Sequence, residues 1–564
     1  MSQSSDDAPT GPISDQTQRL AAVDPPGQAP RAAQRSRRRR NVVADLITAA
    51  LLVIALVLPW NLYSGLAIPG SSRIPFAVLF AVTLLSLISL VAAGAGRSAS
   101  PQFNAAAANR IRLWLNVPYV LLVLAFVAFD AVETVRFGGT VTVPGGVGPG
   151  AWFGIAGSLL CAQPAITGAA ADDEKFAGWQ RSARIIGYAS LVLAVLSFAF
   201  NLYWRIKYAV TGGSGGFGKQ NISVIATAVV YGVVALVAVL VASRWLLRST
   251  KASRLATVAL GASTLVAGLV VWSLPAGRDI DAFHGIAQNT STAGVGFEGY
   301  LAWAAAAAIF APRALFGDRT LSTTQENAWR AAARNGLLLI VVWCVGSMAM
   351  RFTDLFVGVA LNYPYSRYDS IVLAGFDLAT AALAIWLRVN LANDAVSARL
   401  ISSLCGLVAT LSISRVVVGV VLAPRFEEIP NSAAQNPVYG NNLAQQITST
   451  FDVALCGLAL CILAAAIVTG QLTGRRLRRK KPRAAHTRGA GAQPGPQQEA
   501  GTTRIPAAAT TRIPAGAPPP SAAPTTRVRV GGGSDAPRIF RGDDSGTRQI
   551  PVPKPKIFRP PAGR

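Results

Sequence analysis

A chain of 564 residues that is 52% apolar, with a mean hydropathy of +0.41 and a formal net charge of +26, is too hydrophobic for an ordinary soluble protein of its length. The composition excludes a string of soluble domains and makes the bilayer the expected solvent. In a soluble chain so much positive charge would point to nucleic acid, but here the basic residues flank apolar segments, so no nucleic-acid partner is expected.

The first 41 residues are rich in Ser, Asp, Gln and Pro and close on the basic run Arg37 to Arg40. They are expected to be a disordered tail, because such a composition cannot bury a core. No small-residue cleavage site follows the first apolar run, so that run is expected to stay attached as an anchor.

Twelve apolar segments follow, each near the roughly 20 residues that span a hydrocarbon core of about 30 Å. They run Val42 to Trp60, Ile74 to Gly94, Leu113 to Val132, Ala151 to Ala169, Ile185 to Tyr203 and Ile222 to Ala242. The second half continues Leu255 to Leu274, Gly299 to Phe316, Leu337 to Val357, Ser370 to Leu387, Leu400 to Ala423 and Ile447 to Leu472. A backbone exposed to lipid must satisfy its own hydrogen bonds, and no barrel-type alternation is present, so all twelve are expected to be helices. The fold class is therefore an all-α polytopic bundle of about twelve spans in six hairpins, with disordered cytosolic tails. The fourth segment is the irregular one, interrupted by Gln163 and Pro164.

Orientation follows from Lys and Arg near the helix ends, which resist translocation. Sixteen fall in the connections on the side of the amino terminus and ten on the opposite side or in the outer helix ends. Both termini are thus expected in the cytoplasm of a plasma membrane, with the basic flanks against anionic lipid of the inner leaflet, each charge contributing about 1 kcal/mol. All five cysteines (Cys161, Cys344, Cys405, Cys456 and Cys461) fall within apolar segments and lack metal-type spacing, so neither a disulfide framework, a metal centre nor a cofactor is expected.

Several motifs resolve to bland readings. Gly213 to Gln220 nearly spells a phosphate-binding loop, but Gln220 stands where the magnesium-binding hydroxyl belongs and no strand precedes it. Asp279, Asp281 and His284 lie in one external connection without a second histidine, and Glu427 and Glu428 are adjacent rather than paired across a site. An envelope lipid- or glycan-modifying enzyme, the alternative function, would need convergent external carboxylates.

The informative feature is a set of charges inside the last four segments: Arg351, Asp354, Asp377, Arg415 and Asp452. At about 1.5 Å per residue, Arg351 and Arg415 lie about 21 to 23 Å along spans that start inside, and Asp377 and Asp452 lie about 8 to 11 Å below the outer surface. The four share a depth, and Asp354 is one turn from Arg351. Charges within spans cost about 2.5 to 3.5 kcal/mol each on insertion scales, so they face the interior and pair. Structural salt bridges and a polar cavity for an anionic headgroup, ion or proton are both consistent with that placement.

Beyond Arg483 the chain repeats a threonine followed three residues later by Ile or Val, at Thr502, Thr510, Thr525 and Thr547, with Asp543 and Asp544 preceding the last. The pattern resembles acceptor sites of bacterial Ser/Thr kinases of the actinobacterial kind. That resemblance implies a kinase and a phosphothreonine-reading protein as partners of a disordered cytosolic arm, residues 473–564. The functional expectation is a non-enzymatic envelope membrane protein, transporter-like or scaffold.

Overall fold

The computed structural model describes residues 28–60, 73–99, 105–136, 147–165, 172–211, 217–248, 250–273, 296–316, 322–362, 367–393, 396–422 and 450–468. Among them the protein is all-helical, with twelve α-helices. These are α1 Gln28–Val57, α2 Arg73–Ala99, α3 Ala105–Arg136, α4 Pro149–Ala162, α5 Asp172–Thr211, α6 Lys219–Leu247, α7 Lys251–Ser273, α8 Gly296–Phe316, α9 Ser322–Ala360, α10 Arg367–Asn390, α11 Ala398–Leu422 and α12 Thr450–Val468. All lie within one compact unit.

Ten of these helices are long and apolar enough to cross a membrane. Large apolar side chains such as Ile74, Val91, Phe356 and Val468 are exposed along them. In water such surfaces would drive aggregation, whereas hydrocarbon solvates them.

The other two apolar stretches are shorter, Pro149–Ala162 and Gly299–Pro312, and a 14-residue helix reaches only about 21 Å at 1.5 Å per residue. The sequence extends the fourth segment to Ala169, but α4 stops at Ala162 and Gln163 takes an extended conformation. Pro164 disfavours helical geometry at the residue before it. The freed Gln163 side chain then crosses to α8 and donates from Nε2 to the Ala308 carbonyl at 2.8 Å. At the other end of the chain, α1 begins at Gln28, ahead of the tail boundary expected at Asn41, so the arginine run Arg37 to Arg40 lies within the helix.

The helix contacts resolve the chain into three consecutive quartets, each closing on itself: α1–α4, α5–α8 and α9–α12. In every quartet the first helix packs on the second and fourth, and the third on the second and fourth. The middle quartet joins the first through α8 on α4 and the third through α7 on α12 and α6 on α9. Faint sequence echoes match this order: Trp179 with Ala183-Arg184 in α5 recurs as Trp329 with Ala333-Arg334 in α9, and Arg-Leu opens the apolar run of α3, α7 and α11 at Arg112, Arg254 and Arg399.

The fourth helices form a spine. All of α4 except Leu159 is buried, and the alanine-rich run of α8 from Ala302 to Phe310 is buried throughout. An aromatic chain runs between them and onward, from Trp152 on Tyr300 (4.7 Å between ring centroids) to Trp303 (5.9 Å), Phe451 of α12 (5.6 Å) and Trp343 of α9 (4.6 Å). With lipid on the outside, close backbone approach supplies much of the packing. A methyl group at Gly261 of α7 would sit 2.3 Å from the Ala307 Cβ and 2.5 Å from the Trp303 carbonyl, so only hydrogen fits.

Candidate functional site

Trp343, Ser347 and Arg351 recur every four residues on α9, which sets them in one stripe. All three are buried, and the stripe faces Asp377 of α10, Arg415 of α11 and Asp452 of α12. Asp377 accepts from Ser347 Oγ at 2.7 Å and from Arg351 Nε at 3.1 Å, both on Oδ2, and from Arg415 Nη1 at 2.6 Å on Oδ1. The second terminal nitrogen of Arg415 pairs with Asp452 Oδ1, which also accepts from the Trp343 indole at 2.6 Å. One arginine thus bridges two carboxylates on different helices, and all four helices of the last quartet meet in a single ionic knot.

The knot sits inside the bundle. Asp377 is fully buried, and Arg351, Arg415 and Asp452 are each at most 3% exposed. Removing charge from water costs several kcal/mol per ion even after relaxation, and only close pairing with further hydrogen bonds offsets it. Here both carboxylates receive neutral donors as well, from Ser347 and Trp343, so the pairing is supported rather than bare. Cys344 and Cys456 border it: Arg415 Nη1 lies 3.9 Å from the Cys344 sulfur, and the Cys456 thiol donates to the Ser412 carbonyl at 3.1 Å.

Of the five charges singled out in the sequence, four join the knot and Asp354 does not. Its Oδ2 is 3.5 Å from Ser370 Oγ at the start of α10, and its Oδ1 is buried without a hydrogen-bond partner. Sequence reasoning missed Trp343 and Ser347, although their spacing from Arg351 was available.

A second polar group, also missed, lies in the first quartet. Arg112 of α3 pairs with Asp45 of α1 at 2.8 Å. One turn along α3, the Asn116 amide donates to the Arg112 carbonyl at 2.7 Å and to Ser89 Oγ of α2 at 3.1 Å, and Ser89 meets the Cys161 sulfur of α4 at 3.1 Å. This group likewise ties together four helices.

The five cysteines are all free, and no cluster of three or more metal-type side chains occurs among the described residues. Of the glycine-rich stretch, residues 213–216 lie outside the described residues, and Gly218 is the amino-terminal cap of α6. Asp279, Asp281, His284, Glu427, Glu428, Thr502, Thr510, Thr525 and Thr547 lie outside the described residues.

Comparison with curated proteins and with solved structures gives no match. A family model does match, described as a domain of unknown function, DUF7937, over residues 41–471. That range opens one residue before the first apolar segment and ends beyond α12, so the domain is the membrane bundle itself, and the chain belongs to the DUF7937 family.

Proposed function

We propose that this protein is a non-enzymatic, multipass platform of the cell envelope, with both ends in the cytoplasm and an arm, residues 473–564, that recruits partners. The observation that carries the reading is the pairing of the intramembrane charges: Arg351, Asp377, Arg415 and Asp452 satisfy one another across four helices. A platform needs its buried charges closed, whereas a conduit needs them facing a passage. The arm is the part suited to regulation. Phosphate on Thr502, Thr510, Thr525 or Thr547 would add about −1.5 to −2 charges per site, loosening a basic segment from anionic lipid or creating a dock for a phosphothreonine-reading protein.

The second reading is transporter-like. What favours it is the shortness of the apolar stretches of α4 and α8, Pro149–Ala162 and Gly299–Pro312, which occupy the same place in successive quartets; short, Gly- or Pro-interrupted segments at corresponding positions of a repeat are where transporters build binding sites.

One experiment separates the two. In the double variant Arg415→Leu with Asp452→Leu, an apolar pair replaces an ionic one and Arg351–Asp377 remains balanced. A platform keeps both its membrane level and its ability to complement a deletion strain. A double variant that accumulates normally yet fails to complement favours the transporter.

A further inference from the structure

The buried charges of the last quartet are two guanidinium groups, of Arg351 and Arg415, and three carboxylates, of Asp354, Asp377 and Asp452. However the arginine side chains turn, they cannot neutralise the third acid. The one left over is Asp354: it is 8% exposed, it forms no ion pair among the described residues, and its Oδ1 has no hydrogen-bond partner. A buried ionised carboxylate in that position is costly unless a positive charge joins it.

Other oxygens share its depth. Ser370 Oγ of α10 is 3.5 Å from Asp354 Oδ2. On α6, the close approach of Gly346 to Val234 and the Tyr231 hydroxyl 3.5 Å from the Met350 carbonyl fix an antiparallel register with α9. One further turn along that register brings Thr227 level with Asp354, and the Thr227 hydroxyl is also buried without a partner. Two independent orphan oxygens, on helices that pack together, thus share a level where the charge balance is short by one.

We infer that Asp354, with Ser370 and Thr227, forms an intramembrane site for one unit of positive charge, taken either as a proton on the carboxyl or as an alkali cation among the three oxygens. A divalent metal would overshoot a balance that is short by one, and no group of three metal-type side chains occurs among the described residues. On its own helix and the helices packed against it, the charged and titratable groups of the same half are Arg351 on α9, Arg367, Asp369 and Asp377 on α10, Lys219 and Tyr231 on α6, and Asp452 on α12. This goes beyond the platform reading, which requires only the four-residue knot and would survive the loss of this site.

The test uses the full-length protein in lipid nanodiscs, in two arms. In the first, choline is the only cation, and infrared difference spectra across a pH titration follow the C=O stretch of protonated carboxyl. In the second, Na+ or K+ replaces choline at fixed pH and ionic strength while thermal unfolding is followed. The expected result is a saturable signal in one arm, one proton or one cation per protein, that Asp354→Asn removes. Thr227→Val with Ser370→Ala, which keeps the carboxylate, weakens a cation signal about tenfold or more through the lost oxygen partners but leaves a proton signal in place. Wild-type protein silent in both arms overturns the site, as does a signal that Asp354→Asn leaves unchanged. Should Asp354→Asn fail to insert, the wild-type titration and the Thr227/Ser370 variant decide by themselves.

Discussion

Arg415 reaches two acids on two different helices, Asp377 at 2.6 Å and Asp452 through its other terminal nitrogen. The two acids are therefore unequal. Asp377 accepts from a second guanidinium, that of Arg351, whereas Asp452 accepts from the neutral Trp343 indole.

Trp343→Phe isolates that indole bond. The ring retains its contact with Phe451, whose centroid is 4.6 Å away, while Asp452 loses a neutral donor. The expected cost is about 1–3 kcal/mol, since hydrogen bonds to charged groups are stronger than neutral ones. Thermal or denaturant unfolding in detergent measures it, and an unchanged midpoint would mean the bond is idle.

Gly261 and Gly406 occupy the same place in successive quartets, seven residues after Arg254 and Arg399, yet their surroundings differ. A methyl at Gly261 collides with Ala307 and Trp303, whereas nothing lies within 4 Å of one at Gly406. Gly261→Ala should destabilise by about 1–3 kcal/mol through overpacking, and Gly406→Ala should be neutral or slightly stabilising. Equal effects in a thermal shift assay would contradict the packing of α7 on α8.

Phosphate is expected on Thr547 or on Thr502, Thr510 and Thr525 of the native protein. Mass spectrometry of protein from several growth conditions reads this directly. Complete absence of modification removes the regulated arm from the account.

Reporter fusions at the amino terminus and after Arg483 should both report the cytoplasm. Opposite compartments would require an odd number of crossings and would undo the orientation drawn from the flanking arginines.

The depth of the charge cluster was legible in the sequence because a helix advances by a fixed rise, so counting residues from each membrane face brings Arg351, Asp377, Arg415 and Asp452 to one level. Who pairs with whom was not legible. That depends on rotation about each helix axis and on which helices are neighbours, which set Asp377 between two arginines and sent Asp354 to Ser370. The interruption of α4 was visible as Gln163-Pro164, but the attachment of Gln163 to the α8 backbone was not. The quartets escaped notice for a similar reason. Alternating topology makes every hairpin look alike along the chain, and closure of the first helix onto the fourth leaves only faint marks such as Trp179 and Trp329.

The central claim is that the knot clamps the last quartet, and a thermodynamic cycle at Arg415 and Asp452 tests it most directly. Arg415→Leu takes the shared guanidinium from both Asp377 and Asp452 and should cost about 3–5 kcal/mol, the range for breaking a buried pair from one side. Asp452→Leu should cost less, because Arg415 retains Asp377. The double variant should be more stable than Arg415→Leu alone, with a coupling energy of about 1–3 kcal/mol. Strictly additive losses would mean that the two side chains do not act on each other, and the clamp would be refuted.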